Sequence, residues 1–529
     1  MLNGFILMVK NSIYFFFLSI VAIFTYNLEM TDTHILPKWL YTLGMIAIVG
    51  MIESVAKLLN KKVQTNEMNL FAIVSFVCLC QAVYAIMQAL EILPSCSIYQ
   101  VVGSFDNPAG LVACLSVGLP CCIYLYSVAE RKIIKWVIVI TAIFIVISIL
   151  LSKSRTGMLA GLFLPIVWWL FSVKRNNWFK VLFLGLGIVI LSLMYILKKE
   201  SADGRLLMLR CGWEMIKDKP LFGHGVGSVE AHYMDYQADW LKNNPDTPFS
   251  FLADNVKKVF NEYLAVGIRF GVTGWLVLVG FVWLMVYCYR KNPTKEGECA
   301  LMSLAVIGVL GCFSYPLTYP FTWVVLFLDS SILLNHAYSL SAWENMNFRY
   351  SISVILFIVS VSLLYGIIRR TYAELEWGHI VKIADRDRGQ EFIAKYESLL
   401  PVLGNEPYFL YNYSVELYVV GNYEKALLVA SHCRKFWADY DLELLHGELF
   451  DKLDKSQEAE RHFKLASQMC PVRFIPLFRL YMVYKDRGDQ AKAIQIGKEI
   501  LQKPIKVESI TIKNIKKYVK MDLQCLYSI

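Results

Sequence analysis

An arginine at the edge of an apolar stretch is the first residue of this chain whose chemistry can be named. Arg155 lies in the segment SKSRTG (152–157). Burying an arginine in a bilayer costs about 2.5–3.5 kcal/mol on insertion scales, so it normally has a partner or a polar cavity. Its planar guanidinium forms paired hydrogen bonds with phosphate oxygens, which favours phosphate binding. The alternative is an arginine that reaches from the membrane boundary into water.

A polar insert at residues 198–261 carries the next candidates. It contains Arg205 and Arg210, followed by DKPLFGHGVG (218–227), in which three glycines stand at alternate positions. Glycine lets the backbone approach a ligand closely or adopt a positive φ. Because no strand precedes this segment and no Lys-Ser/Thr pair follows it, it is not a nucleotide-binding loop. An ordinary turn before an amphipathic helix explains the pattern equally well.

Polar residues also close the insert. The segment DNVKKVFNEYL (254–264) brings Asn261, Glu262 and Tyr263 to the start of an apolar stretch. Glu262 could act as a general base, but the helix dipole also favours a carboxylate in a first turn. His224, with an ordinary pKa of about 6.5, is a further candidate base or an exposed loop residue.

Apolar segments must position these residues. The 529 residues are 57% apolar and 18% charged, whereas soluble proteins are about 45–50% apolar and about 25% charged. A water-soluble enzyme is therefore excluded for most of the chain. Since about 20 apolar residues span a bilayer as a helix, the sequence predicts an all-α membrane protein with eleven spans: 4–25, 39–59, 69–93, 109–128, 133–152, 156–173, 178–197, 262–289, 299–315, 320–340 and 350–369. Pro316 and Pro320 interrupt the pair at 299–340.

Basic residues in the short loops predict the orientation. Alternate loops are rich in lysine and arginine, which accumulate on the cytoplasmic side. These residues are Lys57, Lys61 and Lys62; Arg131, Lys132 and Lys135; Lys174, Arg175 and Lys180; Arg290, Lys291 and Lys295. The N-terminus is therefore predicted to be cytoplasmic, and the insert 198–261 and everything after the last span are predicted to face outward.

The composition of residues 371–529 predicts a separate, water-exposed domain. They hold 23 Lys/Arg and 22 Asp/Glu. Residues 1–370, a segment more than twice as long, hold 29 Lys/Arg and 21 Asp/Glu, so the C-terminal region has the higher density of charged residues. Ala426, Ala459 and Ala493 recur 33 and 34 residues apart, each after a polar turn, which is the spacing of tetratricopeptide helix pairs. The sequence thus predicts a membrane domain (1–370) and a solenoid of repeats (371–529), with Tyr423, Phe463 and Tyr484 in its core and a capping helix after residue 507.

The thirteen cysteines are scattered through apolar stretches without metal-ligand spacing, so we interpret them as small packing residues. With no carboxylate cluster in the sequence that suggests an ion, the chain is predicted to use neither a metal nor a cofactor.

Four segments in order resemble the O-antigen ligase and polymerase superfamily of bacterial membrane glycosyltransferases. They are GSFDNPAG (103–110), SKSRTG (152–157), DGR to GHGVG (203–227) and FNEYLAVGIRFGVTG (260–274). With flanking spans they cover about residues 70–340. The resemblance implies transfer of a glycan from undecaprenyl pyrophosphate at the outer side of the inner membrane.

The resemblance also assigns roles to residues. Arg155 and Arg205 match the family arginines that would bind the pyrophosphate and stabilise the leaving group, and Asn261 matches the asparagine of a His-Asn segment. Phe260 stands where such ligases commonly have a histidine proposed to activate the acceptor. The substitute base would be Glu262, Asp254 or His224, or transfer would need little base assistance because pyrophosphate is already a good leaving group. Substrate-binding residues are expected to include Arg210, Asn107, Tyr263 and Lys153.

The expected function is therefore a metal-independent membrane glycosyltransferase of the O-antigen ligase type. Its acceptor would be lipid A–core, a protein hydroxyl or another glycan, and the repeat domain could recruit a bulky acceptor or a protein partner. A chain polymerase of the same superfamily is the nearest alternative. A glycolipid transporter and a non-catalytic assembly factor are the others, although no matching pair of interrupted helices favours transport.

Overall fold

A computed structural model describes residues 12–58, 66–95, 97–158, 199–245, 247–338, 346–384 and 390–527. Within these ranges every regular element is a helix, which confirms the predicted all-α class. The chain divides into two compact units. The membrane unit comprises residues 1–197, 260–263 and 276–379, and the second unit comprises residues 198–259, 264–275 and 380–529.

The membrane unit is built from long apolar helices. Its helices in chain order are α1 (Ser12–Phe24), α2 (Ile35–Leu58), α3 (Glu67–Ala89), α4 (Pro108–Val128), α5 (Lys132–Leu151) and the short α6 (Arg155–Gly157). After the insert come α9 (Glu262–Lys291), α10 (Lys295–Phe313), α11 (Pro320–Tyr338) and α12 (Met346–Ala384). Helix α9 also supplies residues 264–275 of the second unit, and the last residues of α12, from 380 on, belong to that unit as well. In the described part of the chain, seven helices are long and apolar enough to cross a membrane.

Most predicted spans coincide with helices. The spans at 109–128 and 133–152 differ by one residue from α4 and α5, whereas those at 156–173 and 178–197 fall almost entirely outside the described residues, so the total of eleven stays a prediction. Around Pro316 and Pro320 the chain forms α10, a short 3-10 turn at Pro316–Thr318 and then α11. A proline lacks the amide hydrogen that an interior helical position requires, which accounts for the break.

The ends of these helices meet in two separate groups. At one end, Ser104 Oγ donates to Ile23 O at 2.6 Å, and the Trp39 indole donates to Thr318 O at 2.8 Å. At the other end, the Tyr124 hydroxyl donates to Glu296 at 2.7 Å. The segments that the charge pattern assigns to one side of the membrane thus contact each other. Which group faces the periplasm stays a prediction.

Helix α4 is the most enclosed of the seven candidate spans. It packs between α3 and α5, where Gly118 leaves room for Cys78, since an added Cβ would lie 2.8 Å from the cysteine Cβ. The Cys78 thiol donates to the Cys114 carbonyl oxygen at 3.3 Å. The described cysteines are free and most are buried, as expected for packing residues.

The second unit combines the polar insert with the C-terminal region. Its helices are α7 (Lys199–Asp218), α8 (Ser228–Asn243), α13 (Gln390–Leu403), α14 (Pro407–Val419), α15 (Tyr423–Cys433), α16 (Tyr440–Lys452), α17 (Ser456–Met469), α18 (Ile475–Asp486), α19 (Gln490–Gln502) and α20 (Ile510–Tyr527). One apolar core joins α7 and α8 to α16 and α17, with Met215, Tyr233 and Met469 among its buried residues.

Three helix pairs lie where the repeat was predicted: α14 with α15, α16 with α17, and α18 with α19. The small residues Ala426, Ala459 and Ala493 are buried at the start of each second helix. Phe463 and Tyr484 are buried as predicted, and Tyr423 is half-buried. The tetratricopeptide assignment and the boundary at residues 370 and 371 stay predictions.

Helix α9 is not the straight span that its hydropathy predicts. Gly271 has φ 62° and ψ −150°, which interrupts the helix. Backbone hydrogen bonds join this kink to the glycine-rich loop after α7: the Val272 amide donates to Pro220 O at 2.8 Å, and the His224 amide donates to Ile268 O at 2.8 Å. We call these paired segments, residues 220–225 and 268–273, the glycine brace.

The brace explains part of the glycine pattern. At Gly223, with φ 67°, an added Cβ would lie 2.4 Å from the backbone carbon of Arg269. Gly225 also has a positive φ, yet no heavy atom lies within 4 Å of its added Cβ. The predicted turn before an amphipathic helix is therefore present, and Gly223 is needed for a close approach between two backbones.

Candidate functional site

The segment GSFDNPAG places Asn107 at the start of α4. Asn107 Oδ1 accepts a hydrogen bond from the Ala109 amide at 2.7 Å, which caps the helix, and its Nδ2 donates to the Tyr315 hydroxyl at 2.7 Å. The Tyr319 hydroxyl donates to Asp106 Oδ1 at 3.1 Å. We call Asp106, Asn107, Tyr315 and Tyr319 the Asn107 cluster.

Two glycines of this segment make the cluster possible. An added Cβ on Gly110 would lie 2.7 Å from the Tyr319 ring, so only glycine lets this ring pack against α4. Gly103 has φ 62°, and its amide donates to Gln88 Oε1 at 2.7 Å. The motif therefore forms a rigid turn that aims Asp106 and Asn107 at the two tyrosines.

The two phenols of the Asn107 cluster are neutral at physiological pH. Burial and then the negative charge of Asp106 raise the pKa of Tyr315 to about 12. Burial also raises the pKa of Tyr319. Nearby, burial and the positive charge of Lys38 lower the pKa of His34, which keeps its imidazole neutral. The two phenols therefore take part in the cluster as uncharged hydrogen-bonding groups.

Lys38 adds a positive charge at the same end of the unit. Its side chain is fully buried, its Nζ donates to Thr25 O at 2.6 Å, and it lies over the Phe105 ring at 5.2 Å. Asp106 attracts it electrostatically. The sequence places Lys38 in a loop before the second span, but in the structure it lies in the first turn of α2.

The segment that opens α9 also reaches the Asn107 cluster. The Phe260 ring lies 5.3 Å from the Tyr315 ring. Asn261 Nδ2 donates to Cys312 O at 3.0 Å, and Glu262 Oε1 accepts from the Leu317 amide at 3.0 Å. Phe260 and Glu262 therefore contact the chain between α10 and α11, and Asn261 bonds to the last turn of α10 just before it.

Arg155 begins the short helix α6, and its neighbours fix the position of that helix. Thr156 and Gly157 are buried, and an added Cβ on Gly157 would lie 2.2 Å from a methyl carbon of Val112 on α4. Val112 follows Asn107 by five residues, about 7.5 Å along the helix axis. The arginine segment thus packs on α4 about one and a half turns beyond the Asn107 cluster.

Two other predicted substrate-binding residues of the membrane unit have defined surroundings. Lys153 is exposed and has φ 53°, which places it in a tight turn after α5. Tyr263 is 39% exposed, and its hydroxyl donates to Gly308 O at 2.9 Å. Lys153 is thus accessible to an anionic ligand, while the Tyr263 hydroxyl links α9 to α10.

The remaining predicted site residues lie in the second unit. Arg205 is half-buried on α7. Arg210, further along α7, lies over the Phe249 ring at 4.9 Å and the Trp240 ring at 5.7 Å. Asp254 pairs with Arg473 at 2.8 Å. Because Arg155 and Arg205 belong to different units, their convergence on one ligand stays a prediction.

His224 has one ring nitrogen fixed by the fold. Its Nε2 lies 2.8 Å from the Met215 carbonyl oxygen, which can only accept, so Nε2 carries the proton. Nδ1 therefore has the free lone pair that a general base requires. The ring also lies 6.0 Å from the His232 ring and 5.9 Å from the Tyr236 ring.

Sequence reasoning missed Tyr315, Tyr319, Lys38 and Asp106. The repeated Tyr-Pro pairs in YPLTYP (315–320) were a usable signal, because prolines break the helix there and tyrosines at a helix break can reach neighbouring ends. Their partner Asn107 lies more than 200 residues earlier in the chain.

These features define a multi-pass membrane protein with polar side chains clustered at one set of helix ends. Residues 137–279 match the family of O-antigen ligases. This confirms the resemblance to the O-antigen ligase superfamily and supports a ligase- or polymerase-type glycan-processing enzyme. The matched region contains three of the four predicted motif segments and ends before the two cluster tyrosines. No curated protein matches this chain.

Proposed function

We propose that this chain transfers a glycan from undecaprenyl pyrophosphate to an acceptor hydroxyl on the periplasmic face of the bacterial inner membrane. The acceptor is lipid A–core or a protein. The observation that carries the proposal is the meeting of segments 103–110, 152–157 and 260–262 around the start of α4. These segments are far apart in sequence, and each carries a residue suited to a polar ligand.

In the proposed reaction, the acceptor oxygen attacks the anomeric carbon of the donor glycan. The bond between this carbon and the pyrophosphate oxygen breaks, and undecaprenyl pyrophosphate leaves with the electron pair. Arg155 and Arg205 bind the diphosphate and stabilise its growing negative charge. Lys153, exposed beside Arg155, attracts the anionic donor. Because two guanidinium groups supply this charge compensation, the proposed transfer needs no metal.

His224 is the best supported recipient of the acceptor proton. Its Nδ1 is available, whereas Glu262 accepts from the Leu317 amide and Asp254 pairs with Arg473. A general base must offer an available lone pair, which the Nδ1 of His224 provides. Glu262 and Asn261 instead act as positioning residues for the turn beside the Asn107 cluster.

The arginine roles are tested with purified full-length protein, a lipid-pyrophosphate-linked glycan and candidate acceptors. Arg155→Ala and Arg205→Ala should each reduce transfer by about 100-fold or more, as expected for loss of a group that stabilises transition-state charge. If both arginines bind one diphosphate, the double variant should lose less than the product of the two single effects. Arg131→Ala, which removes an exposed arginine from a predicted cytoplasmic loop, is the matched control and should retain activity. Full activity in either single variant would refute the mechanism.

The base is tested separately. His224→Gln should lower kcat by about 100-fold, because general base catalysis typically contributes about 10²–10⁴-fold. His232→Gln changes an exposed histidine whose ring lies 6.0 Å away, and it should leave kcat unchanged. Equal losses in both variants would indicate a structural effect and remove His224 from the reaction.

Product analysis separates ligase from polymerase. A ligase forms a bond between the glycan and the lipid A–core or protein acceptor, whereas a polymerase extends a lipid-linked glycan into a ladder of repeat lengths. Ligation without laddering is the expected result. A ladder formed without a lipid A–core or protein acceptor would establish the polymerase alternative. Glycan accumulation in vesicles without any new covalent product would instead indicate a transporter.

A further inference from the structure

A buried cluster in the second unit has the composition of a metal site. Glu443 and His446 lie three residues apart on α16, so they share one face of that helix. His462 lies on α17, the neighbouring helix of the same pair. One potential ligand atom from each of these three residues lies within 4.8 Å of the other two.

The hydrogen bonds around this cluster orient its side chains as they are oriented in metal sites. His446 Nδ1 lies 3.0 Å from the Leu442 carbonyl oxygen, so Nδ1 carries the proton and Nε2 has the lone pair. Metal-binding histidines usually donate their second ring hydrogen to a carbonyl or carboxylate in this way.

Each oxygen of Glu443 has its own partner in the structure. Its Oε1 accepts from Arg434 Nε at 2.6 Å, and its Oε2 lies 2.6 Å from His462 Nδ1. Arg434 would thus orient the carboxylate from one side while Oε2 binds a cation from the other.

The geometry points to a site for a zinc-class divalent cation formed by Glu443 Oε2, His446 Nε2 and His462 Nδ1. Ligand bonds of about 2.0–2.2 Å imply separations of about 3.4 Å between ligand atoms in a tetrahedral site. Distances of up to 4.8 Å between ligand atoms would have to shorten to this value, and the 2.6 Å contact between Glu443 Oε2 and His462 Nδ1 would have to lengthen to it. The half-buried His462 leaves a side open for a water molecule as fourth ligand.

In the present hydrogen bond, His462 Nδ1 donates to Glu443 Oε2. In the bound form the proton would leave Nδ1, and Nδ1 and Oε2 would both bind the cation. Glu443 keeps its bond to Arg434, which also pairs with Asp235 on α8 at 2.5 Å. The cation would consequently connect α16 and α17 and, through Arg434, hold the insert helix α8. This inference is independent of the proposed transfer reaction.

Zinc binding to the full-length protein without a polyhistidine tag tests the site. Elemental analysis after dialysis against micromolar Zn²⁺ should give one bound ion per chain, and titration calorimetry should show that His446→Ala, His462→Ala and Glu443→Gln each weaken binding at least 10-fold. His432→Ala is the matched control, since His432 lies in the same unit and its Nε2 pairs with Gly404 O at 3.0 Å; it should bind as the unchanged protein does. Absence of stoichiometric binding, or binding that the three variants leave unchanged, would overturn the inference.

Cobalt binding provides a second measurement, which uses the unchanged protein and therefore does not require that any variant folds. Co²⁺ bound to the unchanged protein should show the visible absorption of a nitrogen- and oxygen-ligated ion, and Zn²⁺ should displace it. Because the chain has thirteen cysteines, thiolate charge-transfer absorption would place the ion on cysteines and refute the proposed ligand set.

Discussion

The two units hold their polar side chains in different ways. In the Asn107 cluster, the tyrosines and the amide exchange hydrogen bonds as neutral groups, and Asp106 is the charged member. In the second unit, Arg434 bridges Asp235 and Glu443. Isolated charges are costly near hydrocarbon, whereas an ion pair partly open to water is less so. The comparison indicates that the Asn107 cluster is held mainly by hydrogen bonds between neutral groups, whereas an ion-pair bridge holds the helices of the second unit.

Removal of the bridging arginine should have the largest effect on folding. Arg434→Ala leaves Asp235 and the buried Glu443 without their cation, and loss of one partner of a buried pair costs about 3–5 kcal/mol. The melting temperature in detergent, followed by tryptophan fluorescence, should fall clearly. Arg461→Ala, which removes an exposed i,i+3 pair with Glu458, should cost less than about 1 kcal/mol. Equal decreases in melting temperature in the two variants would show that the buried bridge stabilises the protein no more than the exposed pair does.

Replacement of brace glycines should have the next largest effect. Gly223→Ala combines the cost of a positive φ, about 1–2 kcal/mol, with a Cβ 2.4 Å from the Arg269 backbone. Gly225→Ala has the φ cost alone, because no heavy atom lies within 4 Å of its added Cβ. Limited proteolysis of the insert should therefore be faster for Gly223→Ala than for Gly225→Ala. Similar rates would mean that backbone conformation, and not the close approach, fixes the brace.

The bounds of α4 and α5 could be predicted from the sequence, whereas the kink in the glycine brace could not. Hydropathy predicted α4 and α5 within one residue because Asn107 caps one helix and charged residues flank the other. Hydropathy did not predict the interruption of α9 at Gly271, because a glycine does not lower the mean hydropathy enough to mark a helix break. The kink depends on hydrogen bonds to Pro220 and Leu221, about 50 residues earlier.

Motif order predicted the candidate segments but not all of their contacts. The order of the motifs identified Arg155, Asn107 and Asn261 as candidate site residues, and the structure gives each of them a defined position in the membrane unit. It did not predict Tyr315, because the hydrogen bond to Asn107 joins residues more than 200 positions apart and only packing of the helices brings them together. The tautomer of His224 likewise depends on a backbone carbonyl and cannot be read from residue type.

The smallest effect should come from one hydroxyl of the Asn107 cluster. Tyr315→Phe removes the acceptor for Asn107 Nδ2 but keeps the ring beside Phe260, and a neutral hydrogen bond contributes about 1 kcal/mol. Transfer should fall about fivefold with little change in melting temperature, because Asn107 still caps α4 through Oδ1. Tyr365→Phe, at an exposed position of α12, should change neither quantity. A loss as large as that of Arg155→Ala would mean that the Tyr315 hydroxyl contacts the substrate itself, and the cluster would then be part of the reaction centre and not its support.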